Sequence, residues 1–274
     1  MDTAKIVADP AGGYLAISHA GDSVNLAVSP DLLTWTFVRT LDAQATQPTI
    51  APLQTGGWLT AVEFNSQRGA GAFLRIRHYA SRAALLDGRF DRERTTPRTL
   101  SACHEGTPSI RSVTLEPDID HSRIELEFHY HRDCDVDRQA RGNLVDFTGW
   151  ACTADTELDE LLIAAANAVG RPVGGNIGGR DAFAVGQDAY TVYEVQHVKF
   201  DFGSWRLYLR NDDTSRVFDL PVNTHAGSTA FANPKVSALT GPSGNPILLV
   251  SAFVPSEGAA GGEAGQLIVY SELR

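Results

Sequence analysis

The chain has 274 residues, of which 43% are hydrophobic and 20% charged, ordinary globular usage that excludes wholesale disorder. A formal net charge of -10 with no run of Lys or Arg excludes a phosphate backbone or an anionic membrane surface as partner, because both need clustered basic residues. No stretch approaches the roughly 18 apolar residues of a membrane-spanning helix, so neither nucleic acid nor membrane is expected as a partner.

In chain order, one unit recurs. It is a short apolar strand, a turn of Gly, Pro or Asp residues, an alternating strand that ends in polar residues, and a third strand. The first copy takes residues 4–7, the turn 10–13, residues 14–19 and 23–28, with a fourth strand at 35–38. The second takes 47–50, the turn 54–57, 58–65 and 73–79. The third takes 107–110, a turn at Pro117-Asp118, 124–129 and 143–147. Next, Leu158, Leu161, Leu162 and Ala165 fall at helical spacing between Asp155 and Gly170, with Asp155 or Thr156 to cap the start and Gly170 to end it. That helix reads as a connection to the fourth copy, at 180–183, 186–188, 190–196, 205–210 and 216–220. The fifth takes 233–236, 241–244, 247–253 and 266–270. Units of about 55 residues are long for a propeller blade but suit blades with long loops. The expected fold is all-β, one five-bladed β-propeller domain over 1–274 with one short helix between blades three and four; a β-sandwich is the alternative.

In a propeller, first-strand starts and second-strand ends share a face. Aligned from the residue after each turn, the second strands place His19, Glu63, His129 and, with one residue of slack, Glu194 at equivalent positions, while the fifth offers Ala252. Asn65, His131, Gln196 and His197 lie on the strand ends, and Gln47, His104, Glu105, Arg180, Asp181 and Asn233 at the strand starts. Polar groups at a repeated, apolar-flanked position need partners or a ligand. Carboxylates with imidazoles and an arginine are the materials of acid–base chemistry, although the same groups could simply tie blades together. His19, His129, His131 and His197 could also approach a divalent ion near the axis, and no other cofactor is required.

The stretch Ser29-Pro30-Asp31-Leu32-Leu33-Thr34-Trp35 resembles the first-blade Ser-x-Asp-Leu-x-x-Trp of the five-bladed glycosidase propellers, particularly glycoside hydrolase family 43. Gln47-Pro48-Thr49 before Gly57-Trp58, and Glu105-Gly106-Thr107-Pro108, add to it. The resemblance implies an aspartate base in the first blade, a second aspartate in the third and a glutamate acid in the fourth. Asp9-Pro10 matches the family's Asp-Pro but falls in the turn at the opposite face, so Asp9 is rejected; the right register is near Asp2 or Thr3. Glu105 stands where the third-blade aspartate would be, and the fourth-blade start offers Arg180-Asp181 instead of glutamate.

The leading expectation is a carbohydrate-active enzyme, a glycoside hydrolase acting on an oligosaccharide or other small molecule at the axis. Glu63, Glu105, Glu194 and, more weakly, Asp181 are candidate acid and base, with His129 to orient or share a proton. His19, Gln47, Asn65, His104, His131, Arg180, His197 and Asn233 would bind substrate. The alternatives are a non-hydrolytic sugar-binding propeller and a His-rich, metal-assisted lyase, isomerase or cyclase. Met1-Asp2-Thr3-Ala4-Lys5 lacks a secretory pattern, so a cytoplasmic location is expected if Met1 is native and a secreted one if a leader was removed. Cys103, Cys134 and Cys152 fit no metal-ligand spacing and read as reduced thiols, with a Cys134–Cys152 disulfide as the alternative.

Overall fold

Short runs of alternating apolar and polar residues, broken by Gly- and Pro-bearing turns, close into antiparallel hairpins. In the computed structural model, which describes residues 2–65 and 71–273, these hairpins form five small sheets arranged as a five-bladed propeller. Blade one is β1 (Lys5–Ala8), β2 (Tyr14–Ala20), β3 (Ser23–Ser29) and β4 (Thr36–Ala43). Blade two is β5 (Ala45–Pro52), β6 (Trp58–Phe64), β7 (Phe73–Tyr79) and β8 (Arg92–Thr95), with a short helix α1 (Arg82–Leu86) before β8. Blade three is β9 (Glu105–Leu115), β10 (Ser122–Arg132), β11 (Val136–Val145) and β12 (Gly149–Ala154). Helix α2 (Thr156–Ala168) follows, and then blade four, β13 (Ile177–Val185), β14 (Asp188–Gln196), β15 (Trp205–Asn211) and β16 (Arg216–Leu220). Blade five has three strands, β17 (Ala232–Thr240), β18 (Pro246–Val254) and β19 (Gly265–Glu272). Among the described residues no helix is long and apolar enough to cross a membrane.

Several elements depart from the sequence reading, among them α1, which was not expected. β11 begins at Val136 rather than residue 143, because its polar first half, Asp137-Arg138-Gln139, is used inside the molecule rather than exposed. β8 and β12 are outer strands; β8 is mostly exposed and polar, while β12 turns Trp150, Cys152 and Ala154 inward in a short alternation between the exposed Gly149, Ala151 and Thr153. α2 is where its leucines place it, with Asp155 accepting from the Leu158 amide as cap.

Hydrocarbon fills four of the five seams between blades. Leu15 and Ile17 meet Trp58 and Val62 between blades one and two, and Leu59 and Leu74 meet Leu126 and Phe128 between two and three. Val192 and Leu207 meet Phe231 and Val236 between four and five, and Ile6 and Tyr14 meet Ile247 and Leu249 between five and one. Blades three and four differ: α2 packs Leu158, Leu162 and Ala166 on Tyr193 and Val195, and the rest of that seam is polar.

The ring closes without a strand shared between its first and last blades. Ala4 instead donates its amide to Ser251 Oγ at 3.1 Å, Tyr14 its hydroxyl to the Thr240 carbonyl at 2.7 Å, and Lys5 Nζ reaches the Val236 carbonyl at 2.8 Å.

The cysteine expectation is overturned. Cys103 and Cys134 form a disulfide, with Cα atoms 5.6 Å apart, and Cys152 is free. The pairing follows from β9 and β10 lying side by side, so that the loop before one meets the loop after the other; His131 N donates to the His104 carbonyl at 2.9 Å beside it. Cys103→Ser is expected to destabilise the fold by about 2–4 kcal/mol in urea titration, and treatment of the parent with reductant to do the same.

Candidate functional site at the propeller axis

A one-residue irregularity repeated at the start of the innermost strands builds the site. In blades two, three, four and five the pairing slips at residues 47–48, 107–108, 178–179 and 233–234. At three of these Gln47, Thr107 and Asn233 take positive φ of about 49°, 48° and 49°, each just before a proline. Such a bulge turns a backbone N–H out of the ladder and toward the axis. Side chains from the preceding blade take up these amides. His19 Nδ1 accepts from Gln47 N at 3.2 Å, Glu63 Oε2 from Thr107 N at 2.9 Å, and Glu194 Oε2 from Asn233 N. The equivalent positions noticed in the sequence are thus a chain of hydrogen bonds passed from blade to blade.

The link from blade three to blade four is broken. Gly179 N donates to Glu194 Oε1 within its own blade, and Nδ1 of His129 is buried without a hydrogen-bond partner. Gln139 Nε2 bridges that seam instead, donating to the carbonyls of Ile177 and Gly178 at 2.8 and 2.9 Å. Glycine is required where the carboxylates come close to the backbone: a Cβ on Gly106 would lie 2.1 Å from Glu63 Oε2, and one on Gly178 2.4 Å from Glu194 Oε1.

Above this ring lies a cavity of about 410 Å³. From the expected set it gathers Glu63, Glu194, His129, His19, Gln47, His104 and Asn233. Asp2 and Asp137 join them, with Phe202, Trp205 and Phe253 as aromatic wall. Asp2 accepts at Oδ2 from Asn233 Nδ2 at 2.9 Å and from Gln47 Nε2 at 3.5 Å, which holds its carboxylate between blades five and two. The sequence put the register of a first-blade base near Asp2 or Thr3, and of these Asp2 lines the cavity. Asp137 gave no sequence signal, since it lies upstream of the strand expected at 143–147. The fifth blade presents Phe253 to the cavity rather than Ala252, whose side chain packs in the apolar seam with blade four.

The other expected residues stand elsewhere. Glu105 is fully buried, and its Oε1 accepts from the amides of Thr99, Leu100 and Ser101, so it organises the preceding loop. Asp181 pairs with Lys5 at 2.5 Å and accepts from Val236 N at 2.8 Å. Arg180, also fully buried, donates to the carbonyls of Thr107 and Gly178. His131 stands beside Asp137 at 3.8 Å without lining the cavity, and Asn65, one residue past β6, is in the left-handed region with φ 67°. His197, one residue past β14, turns to the Pro172 carbonyl and Tyr208. Asp9 lies in the far turn bound to Arg82, and Asp31 of the Ser-x-Asp motif accepts from the amides of Leu33 and Thr34, so that motif is a turn.

Electrostatics separate the cavity's groups. Burial, helped by the charge of Asp2, pushes the Glu194 carboxyl up to about 7, against the pull of the amides of Gly179 and Asn233. Burial acts on Glu63 in the same direction, but the hydrogen bond and charge of His104 and the Thr107 amide overcome it, leaving Glu63 below the ordinary carboxyl value. His104, 3.2 Å from Glu63, is correspondingly raised despite its burial. His129, stacked on His104 with ring centres 5.4 Å apart, is driven well below the usual imidazole range by burial and by the neighbouring His104 charge. Under the same axial cluster Lys235 is fully buried with no hydrogen-bond partner, and burial brings its ammonium down to about 8.

Ligand atoms of Glu63, His104 and His129 all lie within 4.8 Å of one another, a spacing at which one ion could touch all three.

No protein-family model matches the sequence, and no curated protein matches it at a significant level. Solved structures do. An α-L-arabinanase of Cellvibrio cellulosa, in complex with arabinohexaose, superposes with a TM-score of 0.57 at 13% identity, over 100% of this chain and 92% of that one. An endo-1,4-β-xylanase of Bacteroides thetaiotaomicron gives 0.57 at 11% identity over 98% and 90%. An α-L-arabinofuranosidase of Fusarium graminearum with an iminosugar inhibitor gives 0.56 at 13% over 97% and 80%. The chain therefore shares its five-bladed propeller fold with glycosidases described as belonging to families 43 and 93.

Proposed function

We propose that the axial cavity is the active site of a glycoside hydrolase in which Glu194 is the general acid and Asp2 the base. The observation that carries this reading is Glu194 itself: a buried carboxyl, held by two backbone amides, which keeps its proton up to about pH 7 beside a second carboxylate in the same cavity. Protonating a leaving sugar oxygen calls for such an acid, and activating water or the anomeric carbon calls for the partner. Phe202, Trp205 and Phe253 offer flat apolar surfaces to a sugar ring, while Gln47, His19 and Asn233 offer hydrogen bonds to its hydroxyls. The structural neighbours act on arabinosides and xylosides, so aryl α-L-arabinofuranosides and β-D-xylosides are the first substrates to test. Turnover by the parent that disappears in Asp2→Asn is the expected result. Sugar binding with no turnover across a broad glycoside panel would defeat the enzyme and leave a binding propeller.

The Glu63, His104 and His129 cluster supports a second reading, a metal-assisted lyase, isomerase or cyclase. The neutral imidazole of His129, with its Nδ1 unpartnered and its Nε2 3.8 Å from Asp137, suits a divalent ion, and Glu63 would supply the charged ligand. A bound ion would act there as a Lewis acid. On this reading zinc binds the metal-stripped protein one to one in calorimetry, and His104→Ala weakens it at least tenfold; heat no greater than buffer alone would remove it.

A further inference from the structure

We propose that the polar seam between blades three and four holds a second binding site, for a neutral polyhydroxylated ligand of monosaccharide size. The inference is independent of the chemistry in the axial cavity. Along β10, Glu125, Glu127 and His129 share the face that looks toward blade four, and Glu127 lies on the side of His129 away from the axial pocket. There the seam opens into a cavity of about 400 Å³, within the size range of small-ligand pockets.

Its lining balances three guanidinium groups, Arg111, Arg141 and Arg210, against three carboxyl groups, Glu125, Glu127 and Asp212. The arginines are largely engaged. Arg111 reaches across the seam to Asp212 at 2.7 Å and to Thr191 at 3.1 Å, Arg141 holds Asp155 at 2.5 Å, and Arg210 holds Ser215 at 3.1 Å. Four polar atoms of the lining remain buried without a hydrogen-bond partner: Glu127 Oε2, Asn143 Oδ1, Arg210 Nε and Asp212 Oδ1, the last with the Arg210 guanidinium 3.5 Å away. Glu127 as a whole is only 9% exposed.

Three orphaned acceptors and one orphaned donor define the chemistry of the occupant. A phosphate would satisfy Arg210 but face Glu125, Glu127 and Asp212, and an ammonium would satisfy Glu127 but face three guanidinium groups. A hydroxyl both donates and accepts, so a ring of hydroxyls answers all four atoms without adding charge. The cavity has room for such a ring beyond a single bridging water.

The test uses the whole chain and D-xylose, L-arabinose and D-galactose as probes, followed by calorimetry and ligand-observed NMR. At least one of them is expected to bind at a site that Gln47→Ala leaves intact and that Asn143→Leu, which fills the cavity and removes an acceptor, weakens at least tenfold. Glu127→Gln, nearly the same size as the parent side chain, gives the same weakening if Asn143→Leu does not fold. The inference is overturned if none of the sugars binds, if Gln47→Ala abolishes all binding, or if both seam variants fold and bind as the parent does. Displacement of the sugar by inorganic phosphate or spermidine at lower concentration than by a second neutral sugar would also overturn it.

Discussion

Glu194→Gln is expected to lower kcat on an aryl glycoside with a poor leaving group by about two to four orders of magnitude, the usual worth of a positioned general acid. In the parent, the proton on Glu194 is lost as pH rises through about 7, so kcat falls on the alkaline side of that value, and in the variant this limb disappears. The same group couples to stability. Its folded value of about 7 lies above the ordinary 4.5, so its contribution is complete below about pH 4.5 and is lost as pH rises through 7, on the order of 3 kcal/mol in all. Urea midpoints measured from pH 5 to 8 should therefore fall less steeply in Glu194→Gln than in the parent. An unchanged alkaline limb in the variant would take the acid role away from Glu194.

Glu63→Ala is expected to cost about 3–5 kcal/mol in urea titration, because it strips a raised, partly buried His104 and the Thr107 amide of their common acceptor. Glu63→Gln keeps an oxygen for the Thr107 amide and loses the charge opposite His104, so it should lose less than half as much. Equal losses in the two variants would mean that charge alone, and not the blade-to-blade hydrogen bond, sets the energy. Both readouts are of folding, and they separate the structural duty of Glu63 from any duty in turnover.

The repeat made the fold legible, because each inner hairpin carries its own alternation and its own turn, as in residues 14–19 and 58–65, and neither depends on distant contacts. Positions on second strands were legible for the same reason: His19, Glu63 and His129 lie where period-two counting puts them, Glu194 lies one residue off that count, and all four line the cavity. Positions on first strands were legible only in part, Gln47 and Asn233 lining the cavity and others not, because a bulge of one residue reverses the facing of what lies beside it. Glu105 lies just before such a bulge and Asp181 just after another, and both side chains point away from the cavity. Asp137 was hidden in a polar strand start that looks like a loop, and Phe202 in a turn after the strand end. The seam of blades three and four is invisible to periodicity, since Glu127 and Arg141 read as exposed until the facing blade is known.

The closure of the ring gives the cavity a weak side. Like every neighbouring pair of blades, blades one and five share no backbone ladder, and they are in addition the first and last blades of the chain, so side-chain and amide contacts with the apolar cluster of Ile6, Tyr14, Ile247 and Leu249 hold this seam, and the ring can open along it. Asp2, the residue we place as base, sits on that line and is held to blade five by Asn233. Breathing of the ring would therefore draw one carboxylate away from Glu194 while leaving the acid and its two amides in place, so amide exchange at the seam and loss of turnover should rise together on warming, before the blades themselves unfold.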